Sequence, residues 1–137
     1  MNYFSQAIAW IADPANASGP NGVWARSWEH LWYTILAVVL ASAIAIPLGY
    51  LVGHTGRGRG LVVASSGAAR ALPTLGVVTL VGLVLGVGLI APMVALVLLA
   101  VPSVLAGAYA GIEAIDPRTV DAARAMGMSE WQILTRV

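Results

Sequence analysis

The sequence predicts an all-α membrane protein, a polytopic bundle of about three transmembrane helices with helical segments before and after it. Three observations predict this. Only 9% of the residues are charged and 59% are apolar, against about 25% and 45–50% in soluble domains. Residues 31–53 and 71–112 contain no charge, over 23 and 42 positions. Finally, 137 residues leave little room for a soluble catalytic domain beside such stretches. The charge inventory is seven Arg, no Lys and six acids, a formal +1. That excludes the clustered basic face of a nucleic-acid-binding domain. The absence of Cys excludes a disulfide framework, a thiolate metal site and a Cys nucleophile.

The elements follow in chain order. Residues 1–12 mix Tyr3, Phe4, Ile8, Trp10 and Ile11 with small residues and predict an interfacial helix. Without Lys or Arg on its polar face, its membrane affinity is modest. The start has no basic residue and too short an apolar run for a signal peptide. Residues 13–21 are rich in Pro, Asn, Ser and Gly and predict a loop. About 20 apolar residues cross a bilayer core, so residues 31–53 form the first expected span. Trp32 and Tyr33 mark its interfacial end, and Pro47 is tolerated inside it. A polar loop, 54–60, carries Arg57 and Arg59. The second uncharged stretch is long enough for two spans. Gly86, Gly88 and Pro92 place the break between them. The expected spans are 73–87, preceded by a helical stretch over 61–70, and 92–112. The resulting organisation is an extracytoplasmic or interfacial segment 1–30, a membrane region 31–112 and a cytoplasmic segment 113–137.

Basic residues set orientation. Arg57 and Arg59 lie in one loop, and Arg118, Arg124 and Arg136 lie after residue 112. Three spans put both groups on one side, the cytoplasm, with the N-terminus outside. Small residues recur every fourth position at Ala37, Ala41, Ala45, Gly49 and Gly53. They share one helical face and predict close approach of another helix. Gly82 with Gly86 and Gly107 with Gly111 are two further small pairs. No Asp, Glu, Lys or Arg falls in the middle of a span, which argues against a self-sufficient ion-coupled carrier. Arg70, the nearest exception, is read as snorkelling to the interface. His30 and His54 stand at opposite ends of one span and cannot share a metal.

The segment after residue 112 is the most informative. Asp116 followed by Pro117 predicts an N-cap with Pro at the first helical position. Gly127 can take the left-handed conformation that ends this helix. Ser129 with Gln132 predicts a capping box that starts a second one. Asp121 and Arg124 can pair at i, i+3. Two short amphipathic helices of this kind suit a groove on a soluble partner.

Asp121-Ala122-Ala123, three residues, Gly127, nine residues and Val137 resemble the EAA loop of bacterial ABC importer permeases. Asp replaces the usual Glu and Val the usual Ile, and the chain stops before the closing Leu-Pro, as a fragment of a longer permease would. Glu29-His30-Leu31, Ile46-Pro47-Leu48-Gly49, Gly53-His54-Thr55-Gly56, the run from Arg70 to Gly76 and Gly127-Met128-Ser129 are similar to permeases for glycine betaine, choline and carnitine.

The resemblance implies a type I importer permease fold in the bacterial inner membrane, with a cytoplasmic coupling-helix pair. It implies ATP-driven import of a betaine-like osmoprotectant. The implied partners are an ATPase subunit, an extracytoplasmic solute-binding protein and a second permease subunit, besides membrane lipid. By position, Asp121, Ala122, Ala123 and Gly127 form the joint with the ATPase. No cofactor is implied for this subunit, and the sequence holds no GxxxxGK[ST] phosphate loop. Trp10, Trp24, Trp28, Trp32 and Tyr33 read as interfacial anchors or as an aromatic cage for a quaternary ammonium. In the resembling family the cage belongs mainly to the binding protein. Three alternatives remain at this level: a permease for another small solute, a small dimeric multidrug-type carrier, and a membrane anchor. The carrier would want an intramembrane carboxylate, and the anchor leaves the capped helix pair unexplained.

Overall fold

A computed structural model describes residues 2–137; Met1, where the expected first helix begins, lies outside them. The described residues are helical, with no strand among them. The helices are α1 (Tyr3–Ala12), α2 (Pro14–Ala17), α3 (Val23–Thr55), α4 (Arg59–Ala71), α5 (Thr74–Leu85), α6 (Ile90–Glu113), α7 (Pro117–Ala125) and α8 (Glu130–Arg136). The chain divides into a unit that ends at Leu36 and a second unit, Ala37–Val137.

In the first unit, Asn2 caps α1 by accepting from the Phe4 N–H at 3.2 Å. Residues 13–21, expected as a loop, contain a turn of helix. Asp13 caps it by accepting from Ala15 N–H at 2.9 Å, and Pro14 takes the first position, where its missing N–H costs nothing. The Asn16 side chain donates back to the Trp10 carbonyl at 3.2 Å and ties α2 to α1. The long helix α3 starts at Val23, eight residues before the expected span. Arg26 stabilises this extension through Glu29 at 2.7 Å and Asn21 at 2.6 Å, an i, i+3 pair of the kind that supports exposed helix ends. Trp24, Trp28 and Trp32 lie exposed along it.

The second unit has an inverted core. Soluble domains bury Leu, Ile, Val and Phe most often. Here the buried positions on α3 and α6 are chiefly alanines, with Ala41 and Ala45 fully enclosed, while Leu83 is 78% and Val84 82% exposed. Large apolar side chains outside and small ones inside are what a lipid solvent favours. The small-residue face of α3 meets α6. A methyl group on Gly49 would lie 2.6 Å from the Ala108 Cβ and 2.9 Å from the Leu105 carbonyl oxygen, and one on Gly53 would lie 2.7 Å from the Ile112 Cβ. Partners therefore advance along α6 as residues advance along α3, so the two helices run parallel. The other small pairs behave differently. Gly82, Gly86, Gly107 and Gly111 have open space where a side chain would stand.

Two helices, α3 and α6, are long and apolar enough to cross a membrane, and α4 with α5 makes a third crossing only if the bent pair counts as one. The expected span at 73–87 forms as α5, but its 12 residues reach only about 18 Å, short of a core about 30 Å thick. Pro73 is the reason: it ends α4 at Ala71 and starts α5 at Thr74, and the pair bends by 95°. Gly56 and Gly58 turn the chain from α3 into α4, and Gly86 and Gly88 turn it from α5 into α6, all four at positive φ. The molecule is thus a multi-pass helical membrane protein.

Candidate functional site

The candidate site is the α7–α8 pair. Each end of these helices is closed by a local device. The Asp116 carboxylate accepts from the Arg118 N–H at 2.9 Å, with Pro117 at the first position. At the other end of α7, Gly127 adopts φ +85. Its N–H donates to the Arg124 carbonyl at 3.0 Å, and the Met128 N–H donates to the Ala123 carbonyl at 3.2 Å. These two bonds satisfy carbonyls that a helix end leaves without partners, in the arrangement that a left-handed glycine permits. Ser129 and Gln132 exchange side-chain and backbone bonds at 2.8 and 3.3 Å, a complete capping box.

The structure separates the four residues singled out in the sequence. Asp121, Ala122 and Gly127 are exposed, whereas Ala123 is only 3% exposed. The two alanines therefore do different work. Ala123 packs inward, together with the buried Ile133 of α8, and Ala122 faces out. Met126, at the corner between the helices, also faces out, at 76% exposure, while Trp131 of α8 is 72% exposed and lines a cavity with Ile46, Pro47, Tyr50, Leu51 and His54 of α3. Neither was singled out, although an apolar residue beside a glycine between two polar-capped helices, as Met126 is, signals an outward corner.

Charge holds the pair in place. The Asp121–Arg124 pair forms as expected, at 3.1 Å. Arg124 also grips Glu130 with two nitrogens, Nε to Oε1 at 2.8 Å and Nη2 to Oε2 at 3.2 Å. Glu130 Oε2 meets His54 Nε2 at 3.0 Å, at the end of α3. Nearby, Arg59 at the start of α4 pairs with Glu113 at the end of α6 at 2.8 Å. The Arg124 hydrogen bonds hold the Glu130 carboxyl below its ordinary value; desolvation opposes this, while the charges of Arg124 and then His54 reinforce it. Arg124 is pushed up in turn, first by its bonds to Glu130. A cavity of about 260 Å³ lies beneath this network, lined by Gly53, His54, Ile112, Val120, Arg124 and Ile133 among others.

Glu130 and His54 escaped the sequence reading because they meet across a large chain separation. The only sequence signal is that Glu130 follows Arg124 across a glycine that reverses the chain. The network also brings the 54–60 loop and the segment after residue 112 to the same end of this unit, as the arginine distribution implied. Among the described residues, no group of three or more His, Asp or Glu could hold a metal ion.

The chain is similar in sequence to known transport proteins. A carnitine transport permease protein of Listeria monocytogenes is 28% identical over 112 residues, 82% of this chain and 51% of that protein. A glycine betaine/carnitine/choline transport system permease protein of Bacillus subtilis is 30% identical over 107 residues, 78% of this chain and 49% of that protein. An osmoprotectant import permease protein of Salmonella typhimurium is 30% identical over 116 residues, 79% of this chain and 53% of that protein. The chain spans about half the length of the curated relatives it matches. No solved structure matches it. Residues 45–137, which hold the small-residue seam and the capped helix pair alike, match the family of binding-protein-dependent transport system inner membrane components, and the chain belongs to that family.

Proposed function

We propose that this chain contributes the membrane pathway of an ATP-driven importer for a betaine-like osmoprotectant, a glycine betaine, carnitine or choline, and that α7–α8 is its joint with a separate ATPase subunit. An extracytoplasmic binding protein delivers the solute, and a second permease subunit completes the pathway. The observation that carries the reading is the capped helix pair, fastened to His54 at the end of α3 by Glu130, with an exposed corner of Ala122, Met126 and Gly127. Such a corner has the size and apolar character to enter a groove on a soluble partner. The names of the relatives support the solute class.

In this reading Ala123 builds the joint from inside, and Asp121, Ala122 and Gly127 lie on its exposed side. Residues 113–137 are cytoplasmic, 31–112 cross the membrane, and 1–30 lie outside or at the outer interface. Parallel α3 and α6, with five of the seven arginines at or beyond their common end, support that orientation by the positive-inside rule.

The test is co-purification of the membrane-inserted chain with its ATPase. Ala122→Trp places a large side chain on the exposed face without touching the packed interior, and it should abolish ATPase association while insertion and folding persist. Ala123→Arg serves this purpose poorly, because burial of Ala123 makes its failure a folding defect. Undiminished association of Ala122→Trp with the ATPase would remove the contact face from the reading.

A further inference from the structure

The α7–α8 pair is attached to the membrane helices at two points. The first is the chain itself: α7 begins four residues after the end of α6. The second is Glu130, which opens α8 and reaches His54 in the last turn of α3 at 3.0 Å while gripped by Arg124. Between these points α3 and α6 already lie in direct contact along Gly49 and Gly53. The four helices therefore close a ring: α6 to α7 by covalent linkage, α7 to α8 by Arg124–Glu130, α8 to α3 by Glu130–His54, and α3 to α6 by the small-residue seam.

The ring bridges its own two breaks, the 114–116 link and the Gly127 corner, with Glu130, whereas two other breaks in helical continuity lie outside it and carry no such bridge. They are the Leu72-Pro73 bend of 95° between α4 and α5 and the paired positive-φ glycines, Gly86 and Gly88, between α5 and α6. Hinges sit at positions like these, where a few loop or helix-end residues absorb backbone change. A single exposed ion pair holds geometry weakly. The Arg124 fork is bidentate, however, which fixes the orientation of the Glu130 carboxylate as well as its distance. It presents one oxygen to His54.

We propose that Glu130 is a positioning residue that fastens the coupling joint to α3, so that α3, α6, α7 and α8 move as one body while the α4–α5 segment bends. The inference rests on the reading of α7–α8 as the ATPase joint. It adds that a push on the joint is delivered to two parallel membrane helices, not to α6 alone. Without Glu130, α7–α8 would still dock but would swing about the short link after Glu113.

The test uses the complete transporter, with its ATPase and binding protein, in liposomes, and reads solute imported per ATP hydrolysed. Glu130→Ala and His54→Ala should retain ATPase association and hydrolysis but lower that ratio by about fivefold or more, the scale of a substantial coupling between sites. His54→Gln keeps an N–H donor toward Glu130 and should preserve the ratio, which a role in bulk packing does not require. In a His54→Cys, Glu130→Cys pair, joining the two thiols with a short bis-maleimide should restore the ratio. An unchanged ratio in Glu130→Ala, or a strap that stops transport, would overturn the proposal. Failure of the ATPase to bind the unmodified transporter would overturn the reading of the joint itself, and this inference with it.

Discussion

The α3–α6 seam and the α7–α8 loop are neighbours in one unit held together by opposite means. The seam has no charge and no hydrogen-bonding side chain between Gly49, Gly53 and their partners Ala108 and Ile112. It works by the absence of atoms, which lets two backbones approach. The loop works by added polar groups: two caps, a left-handed glycine and a chain of polar contacts running from Asp121 through Arg124 and Glu130 to His54. Lipid offers no hydrophobic drive to bring helices together, so close van der Waals fit carries the seam. Water competes for every polar contact in the loop, so several modest bonds must share the work. The seam should therefore fail sharply on one substitution, and the loop should degrade by degrees.

The largest effect is expected at Gly49. A Cβ there would already stand 2.9 Å from a backbone oxygen of α6, which cannot move aside as a side chain can. Gly49→Leu should push the helices apart at a cost of about 3 kcal/mol or more, the upper range for overpacking. Thermal unfolding in detergent followed by size-exclusion chromatography reads this directly. Normal stability in Gly49→Leu would mean that the seam is not tight.

An intermediate effect is expected at Gly127. Its φ of +85 lies where an L side chain costs about 1–2 kcal/mol, and open space around it removes any steric addition. Gly127→Ala should accelerate amide exchange around residues 126–130 while leaving α3 and α6 protected. Spread of the loss into the membrane helices would erase the contrast between the two regions.

The smallest effect is the response of the loop to acid. The Glu130 carboxyl is held below its ordinary value by Arg124. A lowered folded-state value means that the carboxylate stabilises the loop above the unfolded value and that this stability is lost as pH falls through the folded one. The tether should hold throughout the neutral range and loosen only below the ordinary carboxylate range, and salt should weaken it, since the partners are exposed. Exchange rates in α8 across a pH series check this. Loosening near neutral pH would mean that the Glu130 carboxylate is not the controlling group.

Local features were legible in the sequence and long-range ones were not. Asp116-Pro117, Gly127 and Ser129 with Gln132 declare their caps within four residues, because capping involves only the backbone beside them. The Ala37-to-Gly53 stripe was legible because five small residues on one face leave a groove whatever fills it. The same rule could not say that Gly107 and Gly111 would stay open, since spacing reports the shape of one helix and not the presence of a second. The bend at Pro73 was similarly underdetermined. Proline in a membrane helix is compatible with a slight kink or a full break, and packing of both α4 and α5 against α6 selects the break. Of the site, the caps and the Asp121–Arg124 pair were visible. The His54–Glu130 contact joins residues that only the folded chain brings together.

The length of α3 has a consequence for how it sits in a bilayer. Its 33 residues extend about 50 Å, well beyond the hydrocarbon thickness, and the surplus lies at the end bearing Trp24, Trp28 and Trp32. Successive indoles are one turn apart, about 6 Å along the axis, and each is suited to the headgroup level. At that level they would work as graduated depth marks. A membrane a few ångströms thicker or thinner would engage a different indole, so that hydrophobic mismatch would be taken up by a change of anchor.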